Sequence, residues 1–128
     1  MDINYKVSTS KSFNEAVSSL KENLSNYNFG VLWELNFKDK FNEKGLEFAS
    51  NFMIFEVCNP SKAKEVLEQN IEIGFFLPCK LVVFEKEDKV FIGMPKPTQL
   101  IGMFEEKQLT SVAKEVEEEL KSAINDAI

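Results

Sequence analysis

The spacing of apolar residues along the chain predicts an alternation of strands and helices. Residues 4–9 have the pattern of a weak strand, and a helical stripe of apolar residues follows over residues 13–27. Ser12 and Glu15 stand where a capping box would begin that helix. A strand followed by an amphipathic helix is therefore expected at the start of the chain.

Residues 29–37 alternate with a period of two, which is typical of a half-buried strand. One face of this strand is predicted to carry four large apolar residues: Val31, Trp33, Leu35 and Phe37. Residues 38–44 predict a short helix that ends at Gly45, because glycine adopts the left-handed conformation of a helix end without steric cost. The first half therefore contains a strand-helix-strand unit.

The second half repeats this order. Residues 51–58 predict a strand, after which Asn59 and Pro60 have the pattern of a helix N-cap and first helical position. A hairpin of two strands and a long amphipathic C-terminal helix complete the pattern, at residues 79–86, 90–94 and 109–128. We predict an α+β fold, a two-layer sandwich whose mainly antiparallel sheet is built from two strand-helix-strand halves, as one domain over residues 1–128.

The composition then excludes several kinds of chemistry. The chain has no His and no Arg, so that all 15 basic residues are Lys. Without His, the Ser-His-Asp triad and its Cys-His variants are excluded. Two cysteines are too few for a structural zinc site within one chain, and only four cysteines shared by two chains would suffice. No phosphate-binding loop is present either, and we expect no cofactor and no metal.

Charge and the N-terminal sequence bear on partners and compartment. The net charge is −6, and an acidic chain without Arg is a poor ligand for nucleic acid or for anionic membranes. The chain starts without a secretory signal pattern, and no apolar run is long enough for a transmembrane helix. We expect a cytoplasmic protein with reduced cysteines, no nucleic-acid partner and no membrane partner.

Phenylalanine is abundant, with 12 residues in a chain of 128. Two layers give limited room for so much aromatic surface, and strand alternation leaves apolar residues on the sheet face away from the helices. Exposed apolar area of this kind often marks a partner surface. We therefore expect a homodimer.

Three stretches resemble a known family: FGVLWEL at residues 29–35, FEVCNP at residues 55–60 and IGFFLPC at residues 73–79. Their order and spacing are similar to those of the prokaryotic domain-of-unknown-function 302 family. The likeness extends to the strand pair after Cys79, a Met94–Pro95 step and the C-terminal helix. It implies a small α+β domain that can form homodimers, in a family without an established biochemical activity.

Cys58 is the leading candidate for reactivity. It ends a predicted strand directly before the helix that begins at Asn59 and Pro60. The partial positive charge of a helix N-terminus lowers the pKa of a nearby thiol and favours the thiolate. The alternative interpretation is that Cys58 is a buried, inert residue that packs as a small hydrophobe.

Cys79 follows Pro78 at the start of a predicted strand. If the strands of Cys58 and Cys79 run parallel through a right-handed crossover, the two cysteines lie at opposite ends of the sheet. A disulfide requires Cα atoms within about 7 Å, so this arrangement disfavours an intrachain bridge. The alternative interpretation of Cys79 is a packed thiol.

Glu34 and Glu56 lie within strongly apolar strands. Two carboxylates on neighbouring strands can act as an acid-base pair with separated pKa values. Strand parity places Glu56 on the same face as Cys58, and Glu34 joins them if the strands pair in register. The alternative is that both carboxylates face solvent and pair with Lys.

Two further segments have both a functional and a structural interpretation. Residues 74–78 predict a pocket wall or, alternatively, a turn with core aromatics. Residues 115–119 are expected to form a solvated acidic face on the outer side of the last helix.

Three functions are consistent with these residues. The first is a non-catalytic homodimeric domain that binds a small apolar or sulfur-containing ligand. The candidate ligand-binding residues are Trp33, Glu34, Glu56, Cys58, Asn59, Pro78 and Cys79. The second is a thiol-dependent redox or sulfur-transfer protein with Cys58 as the attacking thiol. The third is an interaction module, and whether the protein is an enzyme stays open.

Overall fold

The protein, seen here in a computed structural model that describes residues 2–128, is built from five strands and five helices. The strands are β1 (Asn4–Thr9), β2 (Gly30–Asn36), β3 (Phe52–Cys58), β4 (Cys79–Lys86) and β5 (Lys89–Pro95). The helices are α1 (Phe13–Ser25), α2 (Phe37–Glu43), α3 (Pro60–Gln69), α4 (Pro97–Ile101) and α5 (Lys107–Ala127). Single 3-10 helices span Ile71–Phe76 and Gly102–Phe104.

Local sequence signals explain where several of these elements begin and end. Ser12 and Glu15 form the predicted capping box of α1, and each side chain accepts a hydrogen bond from the other residue's backbone N–H. The Asn59 side chain caps α3, whose first residue is Pro60. Gly45 adopts a positive φ of 72° just after α2, as the predicted helix end requires.

The five strands form one antiparallel sheet in the order β1-β5-β4-β3-β2. Helices α1 and α5 pack on one face of this sheet, where the aliphatic residues of β3, β4 and β5 are fully buried. The predicted two-layer α+β sandwich with a C-terminal amphipathic helix is therefore confirmed. No helix within residues 2–128 has both the length and the apolar character needed to span a bilayer.

The relation between the two cysteine-bearing strands differs from the parallel crossover considered above. Strands β3 and β4 are antiparallel neighbours, and Val57 is the Cα partner of Cys79. The short α3 and the 3-10 helix after it return the chain to the sheet end at which β3 finishes. Cys58 and Cys79 therefore lie at the same end of the sheet, and both are free thiols.

The predicted alternation of β2 is wrong at one point. A bulge between Val31 and Trp33 shifts the register, so that Trp33 is the partner of Glu56 and Glu34 is the partner of Phe55. The extra residue reverses the faces of all residues that follow it. Val31 therefore lies on the helix-covered face, whereas Trp33 lies on the opposite face.

The sheet face opposite α1 and α5, here called the open face, carries a row of phenylalanines from β3, β4 and β5 that continues onto α2 and the loop after it. Their ring centroids lie 5.1–6.0 Å apart along the row. The row runs through Phe48, Phe41, Phe37, Phe52, Phe84 and Phe91 in that order. The Lys6 ammonium lies 5.0 Å from the last ring centroid, at a distance that allows a cation–π interaction.

Helix α4 and the two 3-10 helices are absent from the sequence prediction. Each has at most six residues and too few apolar positions to show a helical period. Glu117 is a related exception, because it is only 7% exposed although residues 115–119 are predicted to be solvated. Its carboxylate accepts hydrogen bonds from the Thr98 backbone N–H (3.1 Å) and hydroxyl (2.7 Å), which joins α5 to α4.

Candidate functional site

A cleft of about 320 Å³ opens at the sheet end where β3 and β5 finish and β4 begins. We call it the Pro78 cleft. Its lining comprises Glu56, Phe75, Phe76, Leu77, Pro78, Cys79, Lys80, Met94, Pro95, Pro97, Leu100, Ile101 and Leu120. Apart from one carboxylate and one ammonium group, this lining is apolar, which is typical of small-ligand sites.

Three segments build the walls of the Pro78 cleft. The strand ends supply the floor, with Glu56 on β3 directly opposite Lys80 on β4. The segment from Phe75 to the cis peptide at Leu77–Pro78 supplies one side. Helix α4 supplies the other side through residues that include Leu100. Chain segments far apart in the sequence thus meet at one end of the sheet.

The residue at the mouth of the cleft is Phe75, the most exposed large apolar residue described. Its side chain is 85% exposed although it lines the cleft. Of the two interpretations of residues 74–78, the pocket wall agrees with the lining by residues 75–78, whereas Gly74 does not line the cleft. An aromatic side chain that faces both the cleft and the solvent offers apolar area that a bound molecule would cover.

A second, smaller cavity of about 40 Å³ lies on the helix side of the sheet, and we call it the Cys58 crevice. Its lining comprises Phe29, Val57, Cys58, Asn59, Lys62, Ala63, Val66, Leu77, Cys79, Pro97, Ile101, Val112, Ala113 and Val116. Four of these residues also line the Pro78 cleft: Leu77, Cys79, Pro97 and Ile101. The volume of the crevice has room for a few water molecules but not for an organic ligand.

Both thiols lie in surroundings that disfavour the thiolate. Burial raises the pKa of Cys58. Burial, with a smaller contribution from the neighbouring Cys58, raises the pKa of Cys79 to about 11. The direction at Cys58 is opposite to the lowering expected from the helix N-terminus, because the thiol is desolvated between the sheet and the helices.

The sequence-predicted site residues are divided among three places. Cys58 and Asn59 line the Cys58 crevice, Glu56 and Pro78 line the Pro78 cleft, and Cys79 lines both. Trp33, which is 49% exposed, lies on the open face beside Glu56 without lining either cavity.

Glu34 belongs to neither cavity. The bulge in β2 places it on the helix side, where its carboxylate forms an ion pair with Lys21 at 2.5 Å. Glu34 and Glu56 therefore lie on opposite faces of the sheet, and of the two interpretations considered above the acid-base pair is excluded. The alternative interpretation, pairing with Lys, is correct for Glu34.

Sequence reasoning missed most of the cleft. Met94, Leu100 and Leu120 come from three separate elements, and no local pattern indicates that they meet. Lys80 could have been identified from the sequence as a candidate site residue. It is the only charged residue in the first half of β4, and it shares a face with the apolar residues Val82 and Phe84.

Glu117 stabilises the position of α4, which supplies Pro97 and Ile101 to both cavities. Its carboxylate binds Thr98 at the start of α4 and lies 3.3 Å from the Lys121 ammonium. Burial acts to raise the pKa of Glu117, but the hydrogen bonds from Thr98 and the charge of Lys121 outweigh it, so this pKa lies below its usual value. The ionised carboxylate therefore fixes α4 against α5.

Groups that could coordinate a metal were also considered. Within residues 2–128, no cluster of three or more His, Cys, Asp or Glu side chains is arranged to hold a metal ion. The residues that line the Pro78 cleft supply one carboxylate, one thiol and one ammonium. These groups can bind a ligand through charge and apolar contact.

Comparison with known proteins gives consistent results. Residues 5–127 match the family described as Domain of unknown function DUF302. The crystal structure of an uncharacterized conserved DUF302 protein from Bacillus stearothermophilus is 41% identical, covers 100% of both chains and superimposes with a TM-score of 0.96. An uncharacterized protein of Aquifex aeolicus (strain VF5) is 35% identical over 78 residues, which are 57% of this chain and 54% of that relative's length. The chain belongs to the DUF302 family.

Proposed function

We propose that the protein is a non-catalytic domain that binds a small, largely apolar molecule in the Pro78 cleft. The observation that carries this proposal is a cleft of about 320 Å³ whose apolar walls adjoin one half-buried carboxylate, Glu56, and one exposed ammonium group, Lys80. Its volume lies at the lower end of the range for small-ligand sites. The Cys58 crevice, at about 40 Å³, is too small for the same purpose.

Native mass spectrometry of freshly purified protein tests this proposal directly. A bound molecule would appear as added mass on the folded chain that disappears after denaturation. A Leu100→Phe variant fills the cleft from α4 and is expected to abolish the added mass. The matched control is Gln99→Phe, because Gln99 is the neighbouring residue of α4 and does not line the cleft.

The proposal fails if added mass is absent from the wild-type protein and small apolar compounds also leave its thermal unfolding unchanged. It also fails if Leu100→Phe and Gln99→Phe retain the same added mass, because the ligand would then occupy another surface. Circular dichroism of both variants shows whether the fold is preserved.

We also propose that two copies of the chain associate through the open face. Support comes from the row of phenylalanines, whose strand members Phe52, Phe84 and Phe91 lie on the sheet face opposite α1 and α5. Sedimentation equilibrium of the wild type should give twice the chain mass of 14.7 kDa. Phe84→Lys should give the monomer mass, whereas Ile71→Lys, at an exposed apolar residue of the 3-10 helix, should not.

A thiol-dependent function is the alternative proposal. It would require Cys58 to react as a thiolate at neutral pH. The raised pKa of both thiols weighs against this function. Alkylation of Cys58 faster than that of an unfolded peptide at pH 7 would restore the proposal, and slower alkylation would remove it.

The remaining proposals concern compartment and partners. Net charge −6 and the absence of Arg support a protein without a nucleic-acid partner. The free thiols of Cys58 and Cys79 support a reducing compartment such as the cytoplasm. Fluorescence anisotropy with a labelled single-stranded oligonucleotide at low salt is expected to show no binding. Binding that weakens with added salt would contradict the first of these proposals.

A further inference from the structure

Two opposite charges stand side by side at the Pro78 cleft. Glu56 on β3 and Lys80 on β4 are Cα partners, so their side chains leave the same face of the sheet. The Cβ atoms of such partners lie about 4.5–5.5 Å apart. Both residues line the cleft, and the five ion pairs found among residues 2–128 include neither of them.

The remainder of the cleft offers the opposite environment. The walls beyond the charged pair are aliphatic, aromatic or proline side chains, together with the protonated thiol of Cys79. Met94 and Leu120 form the inner part and are buried, whereas Phe75 stands exposed at the mouth. The cleft thus combines one anionic group and one cationic group with an apolar interior.

We propose that the ligand of the Pro78 cleft is a zwitterionic α-amino acid with an apolar side chain. The ligand's ammonium group would bind the Glu56 carboxylate, its carboxylate would bind the Lys80 ammonium, and its side chain would enter the apolar interior. This inference rests on the proposed function and adds the ligand class to it.

Charge balance favours this class over its singly charged analogues. An apolar amine would pair with Glu56 and leave Lys80 without a partner, and an apolar acid would do the reverse. Each analogue therefore makes one charge-assisted hydrogen bond fewer than the zwitterion and gains less from binding. The zwitterion satisfies both charges at once through charge-assisted hydrogen bonds.

Four compounds with the same phenylethyl body test the inference by isothermal titration calorimetry on the full chain. They are L-phenylalanine, 2-phenylethylamine, 3-phenylpropanoate and the neutral 2-phenylethanol. We expect the dissociation constant of L-phenylalanine to be at least about tenfold lower than that of either singly charged analogue. Each analogue lacks one of the two charge-assisted contacts. The neutral compound should bind more weakly still.

Charge variants of the protein assign the contacts. Lys80→Met should weaken binding of L-phenylalanine about tenfold and leave binding of 2-phenylethylamine nearly unchanged. Glu56→Gln should weaken binding of L-phenylalanine and of the amine but not of 3-phenylpropanoate. The matched controls are Lys86→Met, on the same strand and face outside the cleft, and Glu34→Gln on the neighbouring strand.

The outcomes separate this inference from the proposed function. If 2-phenylethanol and the singly charged analogues bind as tightly as L-phenylalanine, the ligand class is wrong while the cleft remains a binding site. If Lys80→Met and Lys86→Met behave alike toward L-phenylalanine, the assigned contact is wrong. If none of the four compounds binds and freshly purified protein carries no added mass, the proposed function fails as well.

Discussion

The Pro78 cleft and the Cys58 crevice share a wall but differ in what they enclose. The crevice holds Cys58 and Asn59, which the sequence singles out most clearly, in about 40 Å³ of apolar surroundings. The cleft holds Glu56 and Lys80 in about 320 Å³. The difference shows that a potentially reactive residue such as Cys58 does not by itself define a ligand site. The free volume of the cavity and the charged groups available to a ligand also matter.

The largest expected effect concerns Cys79, which lines both cavities. Its pKa is raised from 9.0 to about 11 on folding, so the native state binds more protons than the unfolded state between these values. The free energy of unfolding should therefore be unaffected below about pH 9 and fall by about 3 kcal/mol as the pH rises through 11.

Urea unfolding from pH 8 to pH 11 measures this effect, and Cys79→Ala is the control. The difference between wild type and variant should change with pH in that window, since other groups titrate equally in both. A constant difference would mean that the Cys79 thiol is not desolvated in the shared wall. Cys79 would then not be a buried residue of the wall between the two cavities.

The next effect concerns the attachment of α4, which walls both cavities. Glu117→Ala leaves the Thr98 backbone N–H and hydroxyl without their acceptor, and it should lower the free energy of unfolding by about 2 kcal/mol. Glu117→Gln keeps one acceptor oxygen and should cost less. Chemical denaturation at pH 7 measures both, and equal losses would show that the carboxylate charge and not its hydrogen bonds holds α4.

The difference in free volume predicts different tolerance to larger side chains. Ala113→Leu adds atoms to the much smaller crevice and should destabilise the fold by about 1–3 kcal/mol. Leu100→Phe adds atoms to the open cleft and should cost less than about 1 kcal/mol. Thermal unfolding of the two variants compares them, and a larger loss for Leu100→Phe would contradict the assigned volumes.

The smallest effect is expected at Glu34, which lies outside both cavities. Its ion pair with Lys21 is partly exposed, so Glu34→Gln should change the free energy of unfolding by less than about 1 kcal/mol. Ligand binding should not change. Weakened ligand binding in this variant would show that Glu34 contributes to the ligand site, contrary to its position on the other face of the sheet.

Local patterns predicted the elements well, because caps and apolar periods depend on neighbouring residues. The capping box at Ser12, the cap at Asn59 and the stripe of α5 are such cases. The β2 bulge was not predictable in this way. Val31, Leu32 and Trp33 are three consecutive apolar residues, and such a run does not indicate by itself that the pairing with β3 shifts there.

The composition of the candidate site could not be predicted in the same way, because it depends on contacts between distant parts of the chain. The sequence suggested Glu56 and Pro78, but which cavity each lines follows from the antiparallel pairing of β3 and β4. The position of Glu117 shows the same limit, because its partner Thr98 lies on a five-residue helix without a sequence signature. Residue type suggested the chemistry, whereas topology determined the groups that meet.

Methyl NMR during titration with L-phenylalanine tests the central claim most directly. The account predicts chemical-shift changes at the cleft methyl groups of Met94, Leu100 and Leu120. The methyl groups of Ala63 and Val112, which line only the crevice, should remain unchanged. Shift changes confined to the crevice methyl groups or to the open face, or no change at saturating concentrations, would contradict the assignment of the Pro78 cleft as the ligand site.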